Sequence, residues 1–276
     1  MTALEWRAYD VGHCRHPECM VRRGGALAAR KFPSLAFRLR HPVFGDVLFD
    51  TGYSQHFFDA TRRFPERLYR IVTPVHLRER QCLRAQLAAE GIAPREIRGI
   101  VLSHLHGDHV GGLLDFPDAP LWCARSAWDD LAARGRWSAL RIGLLPALLG
   151  GDFASRCRWI EDLPRIALPD ALAGFGSGHD LFGDGSLLAI ALPGHAAGHY
   201  GAAFRDRDGW VFLVADAAWS TPALRDRALP PRLTTGWLGD TGTYRDTFLR
   251  LSAVLDARAA PRLVPSHCLE WCPADA

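Results

Sequence analysis

The segment from Ile97 to Leu113, IRGIVLSHLHGDHVGGL, constrains this chain more than any other. An apolar run that reads as a buried strand leads without interruption into His104, His106, Asp108 and His109, and a glycine pair follows. On extended backbone His104 and His106 point to the same side, because side chains alternate with period two, so both can reach one metal ion. If the chain turns into a helix after Gly107, Asp108 and His109 swing to a neighbouring position and can serve a second ion. Imidazole nitrogen and carboxylate oxygen at ~2.0–2.2 Å suit zinc, and catalysis requires that such a site keep an open position. A lone histidine is ordinarily satisfied by a backbone carbonyl. Three of them with an aspartate at one strand end are poorly explained that way.

A two-ion site needs further ligands, and the chain supplies them at other strand ends. His195 stands just past a strand in ALPGHAAGHYG, Asp216 ends another in FLVADAAW, and His267 ends a third in RLVPSHC. Taken alone, Asp216 reads as a turn residue or helix cap and His267 as a surface histidine. Taken in order behind the first motif, both read as ligands gathered along one edge of a sheet.

The remaining pattern is strand-rich in two places. LEWRAYDVG, SLAFRLRH and GDVLFDTG read as strands, with Leu35, Phe37 and Leu39 on one face of the second and Arg38 and Arg40 on the other. A helical section follows in SQHFFDATRRFPERLYRIV and RERQCLRAQLAAEGI, the latter closed by Gly91. Residues 115–160 look helical and irregular. Strands return in GSLLAIALPGH, HYGAAFRDRDGWVFLVADAAW and PRLVPSH, with a helix TYRDTFLRLSAVLDARA before the last. Two strand-rich halves, each finished by helices, suggest two sheets packed face to face with helices outside.

Composition narrows the function classes. With 276 residues, 48% hydrophobic and 23% charged, the chain has the makeup of a globular protein with a sizeable core. Its net charge of +3 comes from interleaved basic and acidic residues, which gives no reason to expect a nucleic-acid partner. The opening MTALEWRAYDVG lacks the zones of a signal peptide, and no apolar run reaches the ~18 residues of a membrane span. A cytoplasmic location and no membrane partner are therefore expected. Seven cysteines spread over the chain do not form a secreted disulfide framework; the pairs at 14 and 19 and at 268 and 272 read as free, partly buried thiols.

The pattern H-x-H-x-D-H, followed by a later His, an Asp and a final His, resembles the metallo-β-lactamase superfamily. SHLHGDHVGGL matches its signature, VLFDTG its early Asp-Thr-Gly turn, PGHAAGH its third-motif loop and VADAAW its bridging-aspartate strand. Within the superfamily the chain looks most like the N-acyl-homoserine-lactone lactonase group. The resemblance implies an α+β fold, a four-layer αββα sandwich formed by residues 1–276 as a single domain, with a helical substrate-covering insertion around 115–160. By motif correspondence His104, His106 and His195 would hold one ion, Asp108, His109 and His267 the other, and Asp216 would bridge them. Two zinc ions are implied, with iron or manganese as alternatives.

The implied chemistry is hydrolysis of a carboxylic ester bond. A hydroxide shared by two cations exists at neutral pH, one metal polarises the carbonyl, and Asp108 orients the nucleophile and shuttles a proton to the leaving group. Asp50 would support a ligand imidazole through a hydrogen bond, and His199 reads as a structural histidine. The substrate is expected to be a small acyl compound, a lactone such as an acyl-homoserine lactone first, with a homodimer left open. An acyl thioester hydrolase of glyoxalase II or carrier type is the alternative, and an iron-dependent oxidoreductase of the same fold stands for another class. The lactonase group carries a tyrosine three residues after the bridging aspartate; here Trp219 stands there, with an indole N–H and no acidic hydroxyl. Trp128, Trp137, Ile142, Leu144 and Leu145 are candidates for an acyl pocket.

Overall fold

The computed structural model describes residues 2–257 and 260–273. Thirteen strands among them form two mixed sheets. The first contains β1 (Glu5–Pro17), β2 (Ala29–His41), β3 (Gly45–Phe49), β4 (Val75–His76), β5 (Ile97–Val101), β6 (Leu121–Cys123) and β7 (Cys157–Trp159), in the order β4-β1-β2-β3-β5-β6-β7. The second contains β8 (Arg165–Ala167), β9 (Ser177–Asp180), β10 (Leu187–Ala191), β11 (Tyr200–Asp206), β12 (Gly209–Ala215) and β13 (Arg262–Pro265), in the order β13-β12-β11-β10-β9-β8.

Period-two alternation in the second sheet divides its apolar residues between two cores. Leu187, Ala189, Ala202, Phe204, Val211, Leu213 and Val264 join the large core shared with the first sheet. Their neighbours Leu188, Ile190, Ala203, Phe212, Val214 and Leu263 pack on the other face against Tyr244, Phe248, Leu251 and Val254 of the helix Thr241–Leu255. Both faces are thus covered, which explains why these strands read as continuous apolar runs. Each fully buried large side chain contributes roughly 1.5–3 kcal/mol. The two sheets, with helices packed against them, give the expected α+β sandwich.

Several local expectations change. The first strand runs on to Pro17, because β1 pairs with β2 along its length past a register shift between Asp10 and His13. The stretch from 54 to 72 is two short helices, Gln55–Ala60 and Arg67–Val72; Thr61 Oγ1 donates to Phe57 O across 2.6 Å at the end of the first. Residues 115–160 hold helices Arg125–Ala132 and Arg136–Arg141, but also β6 and β7, strands of three residues each and too short to display a period. The last long helix begins at Thr241, where Asp240 accepts from the Thr243 N–H at 2.7 Å. Residues 258 and 259 of its expected end lie outside the described residues. No helix among the described residues is long and apolar enough to cross a membrane.

Candidate metal centre

Parallel neighbours bring the site together. β3 and β5 run side by side, so Asp50 lies next to the segment that begins at Ser103; β12 and β13 do the same for Asp216 and His267. After β5 the chain makes a short helix, Gly107–Val110, and Gly111 and Gly112 follow. A Cβ on Gly111 would stand 2.6 Å from Gly52 O, and one on Gly112 2.9 Å from Thr51 O. The glycine pair therefore lets the turn press against the loop after β3, where Thr51 N–H and Oγ1 both bond His109 O at 2.8 and 2.9 Å.

All seven expected ligands converge. His104 Nε2 is 3.0 Å from His106 Nδ1, which is 3.1 Å from His195 Nε2. Asp216 Oδ2 lies 3.3 Å from His195 Nε2 and 3.1 Å from His267 Nε2, while its Oδ1 lies 3.2 Å from His109 Nε2. Asp108 Oδ2 closes the other side, 3.5 Å from His267 Nε2 and 3.9 Å from His109 Nε2. Three groupings each keep their donor atoms within 4.8 Å of one another: His104, His106 and His195; Asp108, His109 and His267; and, between them, His104, His109 and Asp216. Asp108 is half-buried and the other six are buried.

Three of the remaining ring nitrogens are held from outside. His109 Nδ1 donates to Asp50 Oδ2 at 2.7 Å, and His267 Nδ1 to Pro33 O at 2.6 Å. Asp50 also accepts from Ser103 N–H and Ser103 Oγ at 2.8 and 2.7 Å, and Ser103 Oγ stands 2.9 Å from His104 Nδ1. One carboxylate thus orients two motif histidines, directly and through a serine. With Nδ1 engaged, His109 and His267 turn lone pairs toward carboxylate oxygens, and His109 Nε2 and Asp216 Oδ1 are buried without a hydrogen-bond partner. A cation among these atoms satisfies them, so the donor set fits metal binding.

Electrostatics agree with the geometry. Burial, reinforced by neighbouring histidines, holds His104 well below the ordinary imidazole range; burial brings His106 down to about 4 and His195 well below that range, keeping all three neutral. Burial also opposes charge on His109 and His267, but there the carboxylates, Asp216 foremost, outweigh it and raise both. Two rings thus attract positive charge where the carboxylates gather.

Other expected residues find definite places. His199 Nε2 accepts the Asp216 N–H at 3.2 Å. Trp219 Nε1 donates to Asp216 Oδ2 at 3.1 Å. Ile142 and Leu144 line a narrow recess beside His106 with Leu105, Ala127 and Ala196. Leu145 packs over Gly107, Trp128 lies against Phe153, and Trp137 is exposed beside Phe64, outside the recess. All seven cysteines are free thiols. Sequence reasoning missed Ser103, the Pro33 carbonyl and Ser34, whose Oγ donates to Asp108 O at 2.7 Å; only the position of Ser103 inside the motif offered a signal.

Residues 33–267 match the family described as the metallo-beta-lactamase superfamily. The N-acyl homoserine lactonase AttM of Azorhizobium caulinodans is 29% identical over 238 residues, 86% of this chain and 82% of that protein. A probable metallo-hydrolase of Mycobacterium tuberculosis is 30% identical over 191 residues, 68% of this chain and 57% of that protein. Among solved structures, an N-acyl homoserine lactone hydrolase with the product N-hexanoyl-L-homoserine at its catalytic metal center shares the fold. Its TM-score is 0.71 at 20% identity, over 98% of this chain and 95% of that one. AidC, a dizinc quorum-quenching lactonase in complex with its product, superposes with a TM-score of 0.66 at 17% identity, over 98% and 89% of the two chains.

Proposed function

Because the chain belongs to the metallo-beta-lactamase superfamily, we propose that it is a dinuclear metal-dependent hydrolase that opens a lactone ring, an N-acyl-homoserine lactone in the first instance. The observation that carries this reading is Asp216, whose two oxygens face histidines of both ligand groups at 3.1–3.3 Å. In it, His104, His106 and His195 would hold one ion and Asp108, His109 and His267 the other, with Asp216 available to both. Zinc is the metal that this mixture of imidazole and carboxylate suits best. The relatives named as lactonases supply the substrate class.

When bound, such a pair of ions lowers the pKa of a coordinated water and polarises the acyl carbonyl. The chain does the rest. Asp50, Ser103 and Pro33 fix the orientation of three imidazoles before substrate arrives. Asp108, at the half-buried side of the centre, turns Oδ2 toward His267 and His109, and its other carboxylate oxygen would take the proton of the attacking water and return it to the departing ring oxygen. Ile142 and Leu144, from the 115–160 segment expected to cover the substrate, would present apolar surface beside His106 for the acyl chain.

Metal analysis of the purified protein, combined with acyl-homoserine lactones and matched acyl thioesters as substrates, tests the reading. About two zinc ions per chain and faster lactone opening, lost in Asp108→Asn with the fold intact, are expected. Preferred thioester cleavage would replace the lactone assignment, and iron with neither activity would replace hydrolysis.

A further inference from the structure

Large apolar side chains that stand in water gather on one part of this molecule. Phe64, Trp137, Leu233 and Trp237 are 55–83% exposed. They come from three short helices, Arg67–Val72, Arg136–Arg141 and Arg232–Leu238, or from the turn before the first. Phe64 packs edge-on against Trp137 with ring centroids 5.4 Å apart, and Arg136 joins the same two segments by its ion pair with Glu66 at 2.6 Å. Trp237 Nε1 donates to Arg141 O at 2.6 Å, and the Arg141 guanidinium lies 5.9 Å from the Trp237 ring. The three helices therefore present one continuous face. Spacing within them agrees: Arg67 and Ile71, Trp137 and Arg141, and Leu233 and Trp237 each stand four residues apart, on one side of their helix, and all are exposed.

Charge on this face has one sign. Glu66 is the sole acid in 62–72, 136–141 and 232–238, and Arg136 neutralises it. Arg62, Arg63, Arg67, Arg141 and Arg232 are exposed without a carboxylate partner among the described residues. Exposed apolar side chains set among unpaired arginines fit the boundary of an anionic bilayer, where rings and aliphatic groups enter the headgroup layer and guanidinium groups meet phosphate. A second copy of the chain fits poorly, because a twofold contact would set arginines against arginines. Contact of this kind needs no spanning segment, so the lack of a long apolar run does not bear on it.

We propose that this face docks on an anionic phospholipid surface, with Phe64, Trp137, Leu233 and Trp237 entering the headgroup layer and the unpaired arginines meeting lipid phosphates. Arg141 is followed directly by Ile142, which lines the recess beside His106, so docking holds that recess near the lipid. The docking surface stands independently of the reaction assigned to the metal centre.

The test is co-sedimentation of the full chain with vesicles of phosphatidylcholine alone or of equal parts phosphatidylcholine and phosphatidylglycerol. Wild type should bind the anionic vesicles at least about 10-fold more tightly, and about 0.5 M salt should remove most of that difference. Arg67→Glu and Leu233→Glu should each weaken binding several-fold with circular dichroism and metal content unchanged. Arg207→Glu, which makes the same charge change at a 93% exposed side chain outside this face, should bind nearly as wild type. Equal weakening by Arg67→Glu and Arg207→Glu would reduce the effect to net charge and overturn the proposal. No preference of wild type for the anionic vesicles would overturn it as well, and so would a solution dimer that Leu233→Glu dissociates, which would give the face to a second copy. Should the variants fail to fold, vesicles with brominated acyl chains should still quench tryptophan emission of the wild type; unquenched emission would overturn insertion.

Discussion

The indole N–H of Trp219 donates to Asp216 Oδ2 across 3.1 Å, and that same oxygen faces both His195 and His267. The bond restrains rotation of the carboxylate whose oxygens face His109, His195 and His267. Trp219→Phe keeps an aromatic ring against His195 and Tyr244 but deletes the donor. Affinity for metal should drop about 10-fold in a chelator competition, with the fold unchanged. Equal affinities would reduce Trp219 to a packing residue.

Asp50 has left-handed backbone, φ 59°, and three donors on its carboxylate, from Ser103 N–H, Ser103 Oγ and His109 Nδ1. Asparagine tolerates that backbone conformation, so Asp50→Asn isolates the effect of the charge. Metal affinity should fall by about 10- to 100-fold, while thermal unfolding of the metal-free protein shifts little. Wild-type metal loading in this variant would release Asp50 from any part in holding His109.

Gly111 is where the motif turn meets the loop after β3. A methyl group there would stand 2.6 Å from Gly52 O and 2.8 Å from Gly107 O. Gly111→Ala should cost about 1–3 kcal/mol in urea unfolding with an unchanged slope, because backbone atoms must move. Gly135→Ala, which meets nothing within 4 Å, serves as the neutral comparison. Similar midpoints for the two variants would show that the turn has slack.

Asp206 ties three strands together, accepting from Trp6 Nε1 at 2.9 Å, from Asp208 N–H at 2.8 Å and from the Arg262 guanidinium. Burial raises its carboxyl, but these donors outweigh it and hold the group below its ordinary value. A depressed folded-state pKa means stability that is present above the unfolded value of about 3.9 and lost as pH falls through the folded one. Between about pH 5 and about pH 3, wild type should therefore lose more unfolding free energy than Asp206→Asn. Parallel curves for the two proteins would mean that the carboxylate adds nothing.

The sequence by itself determined the longer strands and the residues at their ends. Apolar runs and period-two alternation are local properties, and ligand-type side chains just beyond such runs have few places to go except a sheet edge. Spacing alone put His104 and His106 on one side of the strand. Tertiary structure alone decided how the donors are shared. Which Asp216 oxygen faces which histidine, that Pro33 O fixes His267, and that Ser103 joins His104 to Asp50 depend on segments brought together across most of the chain. The three-residue strands β6 and β7 belong to the same class, since only their neighbours in the sheet make them strands. Local propensity and spacing carry information over a few residues, whereas a hydrogen bond between distant segments exists only once the sheets have closed on each other.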